Sequence, residues 1–389
     1  MNIRCTIMLS DKGVDEELQW LEFEKFPIWE ACGADRGRLR EIASRSGGPL
    51  FEPDGRNGWA TGFMREGDRL MDRARSPAIG DLEKADLYDQ AALYYGIAKM
   101  PSAETPAKRQ AYQRQRKALA EAGPRFPFTF RREEIPLGDR KIVGYYYEPG
   151  QPREITRPEA VLLTGGADVT KEDVHAVALQ IVRDGMACLS VDMPGTGESE
   201  WKLRPPGTDN VYDKAIKYLA GRGDDPGRIG MMGLGFGGYW AIASAATCPE
   251  LKAAVNCGGP VHRTFSHESL KKLPGYYKLA LSSAMGYDPA DFDKALGILG
   301  EFSLLKCVDL RRIDIPLLSV NGSNDPVVPI EDLFIIAEEG GVKQDEWVFQ
   351  EDGHCAPHRF PEWMPRAVDW LANRLGGRDR MPRPDIVQL

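Results

Sequence analysis

The stretch from Arg228 to Ala241, Arg-Ile-Gly-Met-Met-Gly-Leu-Gly-Phe-Gly-Gly-Tyr-Trp-Ala, decides the fold of this chain. An apolar run that ends in closely spaced glycines and continues into helix-forming residues predicts a strand, a sharp turn and a helix. The same context surrounds the G-x-S-x-G motif, whose serine is a nucleophile at the tip of the turn. Here Gly233 and Gly237 occupy the two glycine positions, and Gly235 stands between them. Because glycine has no hydroxyl, the chain has the strand, turn and helix pattern of this motif without its nucleophile.

Glycine-rich turns also occur in dinucleotide-binding proteins. Two later segments distinguish between these two interpretations. Residues 316–329 form a strand-like run whose polar turn presents Asp325, and residues 347–354 form another whose loop presents His354. A glycine turn, an acid and a histidine in this chain order, each past the carboxyl end of a strand, are typical of α/β-hydrolases. We therefore predict an α/β-hydrolase fold in which Asp325 orients His354 as a base. We expect both side chains to border a pocket with Gly235 at its floor.

A further glycine loop follows the apolar strand-like run that begins at Ala160. α/β-Hydrolases take one oxyanion-hole amide from the residue after the nucleophile and another from a loop in this position. The predicted oxyanion hole therefore consists of Phe236, Gly166 and Ala167.

Four other residues near these segments are weaker candidates. Asp168 and His262 are predicted to contact substrate, although a solvated or capping role for His262 is an equal alternative. Cys257 ends a strand and is expected to be buried packing. Cys355 adjoins His354, and we expect its side chain to point away from the histidine.

Composition and charge narrow the class of protein. With 389 residues, of which 42% are hydrophobic, two domains are expected. The net charge of −8 argues against nucleic acid or an anionic membrane as a partner, so we expect a small-molecule substrate. Seven cysteines without paired short spacings, and no signal peptide or long apolar run, favour a cytoplasmic protein. No ligand spacing suggests a metal site and no cofactor is implied; we also expect a homodimer.

The pattern of the chain changes near residue 124. Residues 1–124 carry apolar residues at helical spacings and predict a helical N-terminal domain. Residues 125–389 predict the α/β-hydrolase domain, which opens with an antiparallel pair and ends with a helix over 361–375. Residues 262–300 lack β-branched runs and predict a helical lid insertion. The predicted N-terminal helices cover residues 16–32, 39–46, 58–74, 82–99 and 106–122.

Several segments together resemble α/β-hydrolases with a helical N-terminal domain. This group includes dihydroxypseudooxynicotine hydrolase, the fermentation-respiration switch protein and fungal polyketide-shortening hydrolases. The resemblance implies cofactor-free hydrolysis of a carbon–carbon or ester bond in a ketone-bearing, often aromatic substrate, at a site between the helical domain and the sheet. Asp325 and His354 match the acid and base of the group, whereas Gly235 departs from its serine. The matching segments are Ile97 to Pro101 with Pro106 to Tyr112, Gly165 to Glu172, Gly233 to Tyr239, and Gly353 to His358.

Three explanations of Gly235 remain open. The chain is a natural enzyme in which His354, oriented by Asp325, acts as a base on water or on the substrate, without a covalent intermediate. Alternatively, it is a serine hydrolase inactivated by an introduced serine-to-glycine replacement. The third possibility is a binding or regulatory protein without catalysis, which does not explain why both Asp325 and His354 are present in the proper context.

Overall fold

A single eight-stranded sheet forms the centre of the described structure, with the order β1-β2-β4-β3-β5-β6-β7-β8. The computed structural model describes residues 13–50, 54–150, 159–207, 210–222, 227–288 and 291–376. Strand β2 is antiparallel to β1 and β4, and every other neighbouring pair is parallel. The mostly parallel sheet and its antiparallel opening pair are thereby confirmed. The strands are β1 (Thr129–Leu137), β2 (Arg140–Glu148), β3 (Ala160–Thr164), β4 (Ala187–Val191), β5 (Ile229–Leu234), β6 (Leu251–Cys257), β7 (Leu317–Gly322) and β8 (Gln344–Phe349).

Helices precede the sheet along the chain, as the apolar spacing predicts. Their ends follow local capping chemistry: the Thr105 side chain accepts a hydrogen bond from the Lys108 amide, and Pro106 occupies the first helical position. The helices are α1 (Val14–Glu24), α2 (Phe26–Ala31), α3 (Arg36–Ser46), α4 (Trp59–Ala74), α5 (Asp81–Lys99) and α6 (Pro106–Ala122).

The segment 16–32, expected to be one helix, is two. Helix α1 ends at Glu24 and helix α2 begins at Phe26. Pro27 causes the break, because it has no amide proton and its ring collides with the carbonyl four residues earlier in a continuous helix. Glu24 and Lys25 therefore lie at a bend in the chain, and both are buried.

The two faces of the sheet belong to two different hydrophobic cores. Because side chains alternate along a strand, Val161 and Leu163 pack on one face and Leu162 packs on the other. The N-terminal helices share the core of the first face with α7 (His175–Arg183) and α15 (Phe360–Gly376). The helical N-terminal part therefore packs directly on the sheet.

The second face is covered by the remaining helices, among them those of the segment between β6 and β7. These are α8 (Val211–Gly221), α9 (Phe236–Thr247), α10 (His267–Lys272), α11 (Gly275–Met285), α12 (Phe292–Leu299), α13 (Leu304–Cys307) and α14 (Glu331–Gly340). The region 262–300 is helical, as expected of a lid. No helix within the described ranges is long and apolar enough to cross a membrane.

One carboxylate holds the entrance to the lid segment. Asp332, in the first turn of α14, is fully buried and accepts hydrogen bonds from the amides of Val261, His262, Arg263 and Thr264 at 2.6–3.2 Å. The Thr264 hydroxyl donates a fifth hydrogen bond at 2.7 Å.

Replacement of Asp332 by alanine should destabilise the protein. The substitution leaves several buried donors without an acceptor, and each unsatisfied group costs about 1–3 kcal/mol. We expect the free energy of unfolding in urea to fall by about 3 kcal/mol or more. The exposed Asp314→Ala variant is the control, with an expected change within about 0.5 kcal/mol. Equal stability of the two variants would contradict the anchoring role of Asp332.

Candidate active site

The turn between β5 and α9 places residue 235 directly opposite His354. Gly235 has φ 55° and ψ −127°, a left-handed conformation that favours glycine. Its amide donates a hydrogen bond to the carbonyl of Cys257 at 2.8 Å, which fixes the turn to the end of β6. A Cβ atom on Gly235 would lie 3.3 Å from Nε2 of His354. Any side chain at position 235 would therefore start within reach of the imidazole.

Asp325 and His354 meet as the chain order predicts. Nδ1 of His354 lies 2.7 Å from Oδ2 of Asp325, whose side chain is fully buried. Asp325 is held by hydrogen bonds from the amides of Val327 and Val328 and from the side chain of Asn321, at 2.7–3.0 Å. The carboxylate thus orients the imidazole so that Nε2 faces residue 235.

The expectation that Asp325 borders the pocket is wrong. His354 and Gly235 line the cavity, whereas Asp325 is not among its lining residues and lies behind the imidazole. The physical reason is that a carboxylate that orients a histidine acts through the ring. Contact with the substrate is not needed for that role.

The charges around His354 favour its protonated form. Burial lowers the pKa of His354, but the Asp325 carboxylate and the Cys355 thiol raise it by more, so the pKa lies well above 6.5. Neutral His354, the form that could accept a proton, therefore becomes abundant only at pH values above the usual pKa of an imidazole.

Cys355 does not point away from His354, which corrects the sequence-based expectation. Cys355 has φ 64°, and this conformation turns the thiol toward the end of β6, where Sγ lies 3.3 Å from the carbonyl of Cys257. A side-chain hydrogen bond with Cys257 and the charge of His354 lower the pKa of Cys355. Cys257 is fully buried, as expected.

Two cavities meet at Gly235 and His354. The larger has a volume of about 100 Å³ and lies between the N-terminal helices, α7 and α15. The smaller has a volume of about 40 Å³ and lies under the lid segment. Both are mainly apolar; the larger includes Ile28, Trp29, Leu93, Ile97, Phe360 and Trp363, and the smaller includes Phe265, Leu270, Leu273, Leu281 and Leu299.

The predicted oxyanion-hole residues lie beside one another at this turn. Gly166 packs against the turn, since a Cβ on it would be 3.3 Å from the Phe236 nitrogen. Within the described residues, the Phe236 and Ala167 amides donate to no backbone acceptor. The predicted oxyanion-hole residues are thus brought together, and their amides remain available to a ligand.

The two predicted substrate contacts differ in their placement. Asp168 lines both cavities and accepts a hydrogen bond from Nζ of Lys25 at 2.7 Å. Burial raises the pKa of Asp168, but the Lys25 cation lowers it by more. His262 is exposed and lines neither cavity, which favours the solvated alternative; its Nδ1 lies 2.7 Å from the Ser303 hydroxyl.

Sequence analysis missed Glu24 and Lys25, which enter the site from the bend between α1 and α2. Oε2 of Glu24 accepts a hydrogen bond from the His354 amide at 3.0 Å. Lys25 binds Asp168 and also donates to the Tyr277 hydroxyl at 3.0 Å. The one signal in the sequence is Pro27, which requires a bend directly after two charged residues and Phe26.

The part of the chain that the structure describes contains no obvious metal-binding site. No group of three or more histidine, cysteine, aspartate or glutamate side chains there is placed to hold an ion.

Replacement of Asp325 by asparagine should lower the pKa of His354. The substitution removes the negative charge that raises this pKa but leaves the burial that lowers it. We expect the titration midpoint of His354, followed by ¹⁵N NMR of the imidazole, to move downward, and Asp314→Asn to leave it unchanged. A midpoint that stays at its wild-type value would show that Asp325 does not stabilise the imidazolium.

The chain is similar to several proteins that are described as esterases. Esterase FrsA of Vibrio cholerae serotype O1 is 28% identical over 306 residues, covering 75% of this chain and 71% of that protein. Esterase FrsA of Yersinia pestis is 26% identical over 384 residues, covering 95% and 87%.

Solved structures show the same fold at lower identity. The 2,6-dihydroxy-pseudo-oxynicotine hydrolase superposes with a TM-score of 0.75 at 21% identity, over 90% of this chain and 96% of that one. Wild-type AbyA5 superposes with a TM-score of 0.72 at 21% identity, over 94% and 99%. The family model described as "Esterase FrsA-like" matches residues 56–376. The sequence-based resemblance is confirmed, and the chain belongs to the FrsA-like family of the α/β-hydrolase superfamily.

Proposed function

We propose that this protein is a cofactor-independent hydrolase or lyase that cleaves an acyl or carbon–carbon bond in a ketone-bearing small molecule. The observation that carries the proposal is the Asp325–His354 hydrogen bond of 2.7 Å, intact beside a residue 235 that has no side chain. The family description as esterase-like and the hydrolase named among the structural neighbours support hydrolysis.

The reaction needs no covalent intermediate in this scheme. Neutral His354 takes a proton from a water molecule through Nε2, and the hydroxide attacks the carbonyl carbon of the substrate. The amides of Phe236 and Ala167 donate hydrogen bonds to the resulting oxyanion, and each such donor contributes about 3–4 kcal/mol. Collapse of the tetrahedral intermediate breaks the acyl or carbon–carbon bond, and the leaving group takes up a proton.

The other two explanations of Gly235 can be compared with the geometry of the site. An introduced glycine is compatible with the turn, because a Cβ at 235 would lie 3.3 Å from Nε2 of His354, at the start of a serine–histidine contact. A binding protein without catalysis would need neither the Asp325 hydrogen bonds nor the unpaired amides. The preserved proton-transfer pair favours an active enzyme.

The two cavities suggest which part of the substrate lies on each side of the reacting carbonyl group. We infer that a bulky, apolar or aromatic part occupies the larger cavity, of about 100 Å³. A group of only a few carbon atoms fits the smaller one, of about 40 Å³. The scissile bond then lies between them, beside Gly235 and His354.

Variants at the two central residues separate the three explanations. For a natural enzyme without a nucleophile, His354→Ala should abolish turnover and Gly235→Ser should not improve it, since that reaction uses no side chain at position 235. For an introduced glycine, Gly235→Ser should restore a large rate and form an acyl-enzyme detectable by mass spectrometry. A binding protein should show no turnover in any variant.

The measurement is product formation from a panel of aromatic β-diketones and esters. His267→Ala is the matched control, because this histidine is exposed at the start of α10 and lines neither cavity. Wild-type activity in the His354→Ala protein would refute the proposed function.

Enlarging the smaller cavity should change the size preference. Leu299→Ala removes a buried side chain from the wall of this cavity. We expect the variant to have a higher kcat/KM than the wild type for aryl esters with longer aliphatic acyl groups, measured relative to the aryl acetate. The matched variant Leu93→Ala enlarges the larger cavity and should leave this preference as it is. An unchanged acyl-length profile in Leu299→Ala would contradict the assignment of the small group.

A further inference from the structure

Glu24 is a buried carboxyl group in the cavity wall that the scheme above does not use. It is 4% exposed and lines the larger cavity together with Gly235 and His354. Oε2 accepts the hydrogen bond from the His354 amide, and among the described residues Oε1 has no hydrogen-bond donor. One oxygen of the carboxyl therefore fixes the histidine loop, and the other is left without a donor in a residue that lines the cavity.

The fit between Glu24 and the histidine loop is close. A Cβ atom on Gly353 would lie at 2.4 and 2.6 Å from the two carboxyl oxygens, so any other residue before His354 would displace the Glu24 carboxyl. This contact joins the N-terminal helices to the loop after β8 across 330 residues of sequence. The carboxyl is thus held against the base of the active site.

We propose that Glu24 is a second proton-transfer group of this active site, which donates the proton that the leaving group needs. The inference rests on the proposed function, because it supplies the last step of that scheme. It follows from the position of the carboxyl, which shares the cavity with His354 and reaches it from the side of the N-terminal helices.

The proton balance closes with this assignment. His354 removes one proton from water, and the hydroxide forms a bond to the carbonyl carbon. When the carbon–carbon or carbon–oxygen bond breaks, the leaving carbanion or alkoxide takes the proton of the Glu24 carboxyl. The imidazolium then returns its proton to the Glu24 carboxylate through solvent, so the net reaction consumes one water molecule.

The charges around Glu24 suit a group that exchanges protons near neutrality. Burial raises the pKa of Glu24 to about 7, although the charge and the amide of His354 oppose the rise. Because the pKa of His354 is also raised, the two groups share one proton over the range between their two values. The titratable groups that face this carboxyl or line its cavity are Lys25, Cys32, Asp168, Asp173, Tyr277, Asp325, His354 and Cys355.

The sign of the pH dependence follows from that shared proton. The reactive state has one proton on the pair, so kcat/KM of the wild type should rise through about pH 7 and fall again above the raised pKa of His354. In Glu24→Gln the acid is lost and His354 remains as the base. The rate should then rise with pH to a plateau, without the alkaline fall.

The deciding experiment compares the pH profiles of the wild type, Glu24→Gln and Glu17→Gln on an active substrate from the panel. The glutamine can still accept the hydrogen bond from the His354 amide, so the loop keeps its position while the acid is lost. We expect kcat to fall about 100-fold or more, since a general acid contributes about 10²–10⁴ in rate. Glu17 is equally buried in the same helix but lies outside the cavity, and its variant should keep the wild-type profile.

A direct titration gives a second readout. In ¹³C NMR of glutamate-labelled protein, the Glu24 carboxyl signal is the one that is missing from the spectrum of Glu24→Gln. In the wild type this signal should titrate near pH 7. Wild-type kcat with an unchanged profile in Glu24→Gln, or a titration near 4.5, overturns the role of Glu24 and leaves the proposed function standing. A wild-type protein without turnover on any substrate removes both.

Discussion

The rest of the site depends on the turn at Gly235. Strand β5 and helix α9 touch there, since a Cβ atom on Gly233 would lie only 2.0 Å from the Gly237 carbonyl oxygen. The turn directs residue 235 toward Nε2 of His354 and leaves the Phe236 amide at the helix start. The positive end of the helix dipole lies at the same place, which favours negative charge on a bound carbonyl. The turn keeps the Phe236 amide at the start of the helix even though residue 235 has no hydroxyl.

In the proposed reaction, the remaining elements provide proton transfer rather than a nucleophile. In serine hydrolases, loss of a triad member leaves about 10³–10⁴ of rate over water, from the oxyanion hole and substrate binding. His354 adds a base to these elements, and its orientation is enforced by a carboxylate that itself accepts three hydrogen bonds besides that of the imidazole. Water can take the role that the serine hydroxyl has in other members of the superfamily.

The N-terminal helices are part of the active site and not an accessory layer. They share a hydrophobic core with one face of the sheet, and their bend at Lys25 brings a cation to Asp168. A buried ion pair of this kind is costly to desolvate and is compensated only by good geometry, which here includes the Tyr277 hydroxyl. The cavity between the helices and the sheet therefore forms only when both are folded together.

The sequence by itself determined the elements and the chain order of the site. Apolar spacing predicts the helices and strands, and short motifs predict the turn at Gly235 and the loops of Asp325 and His354, because these features depend on residues close together in the chain. The tertiary structure alone decided which distant groups meet. Glu24 reaches the His354 amide across 330 residues, and Cys355 turns toward its neighbour through a left-handed backbone conformation. Such contacts depend on how helices pack on the sheet, and no local pattern in the sequence encodes that packing.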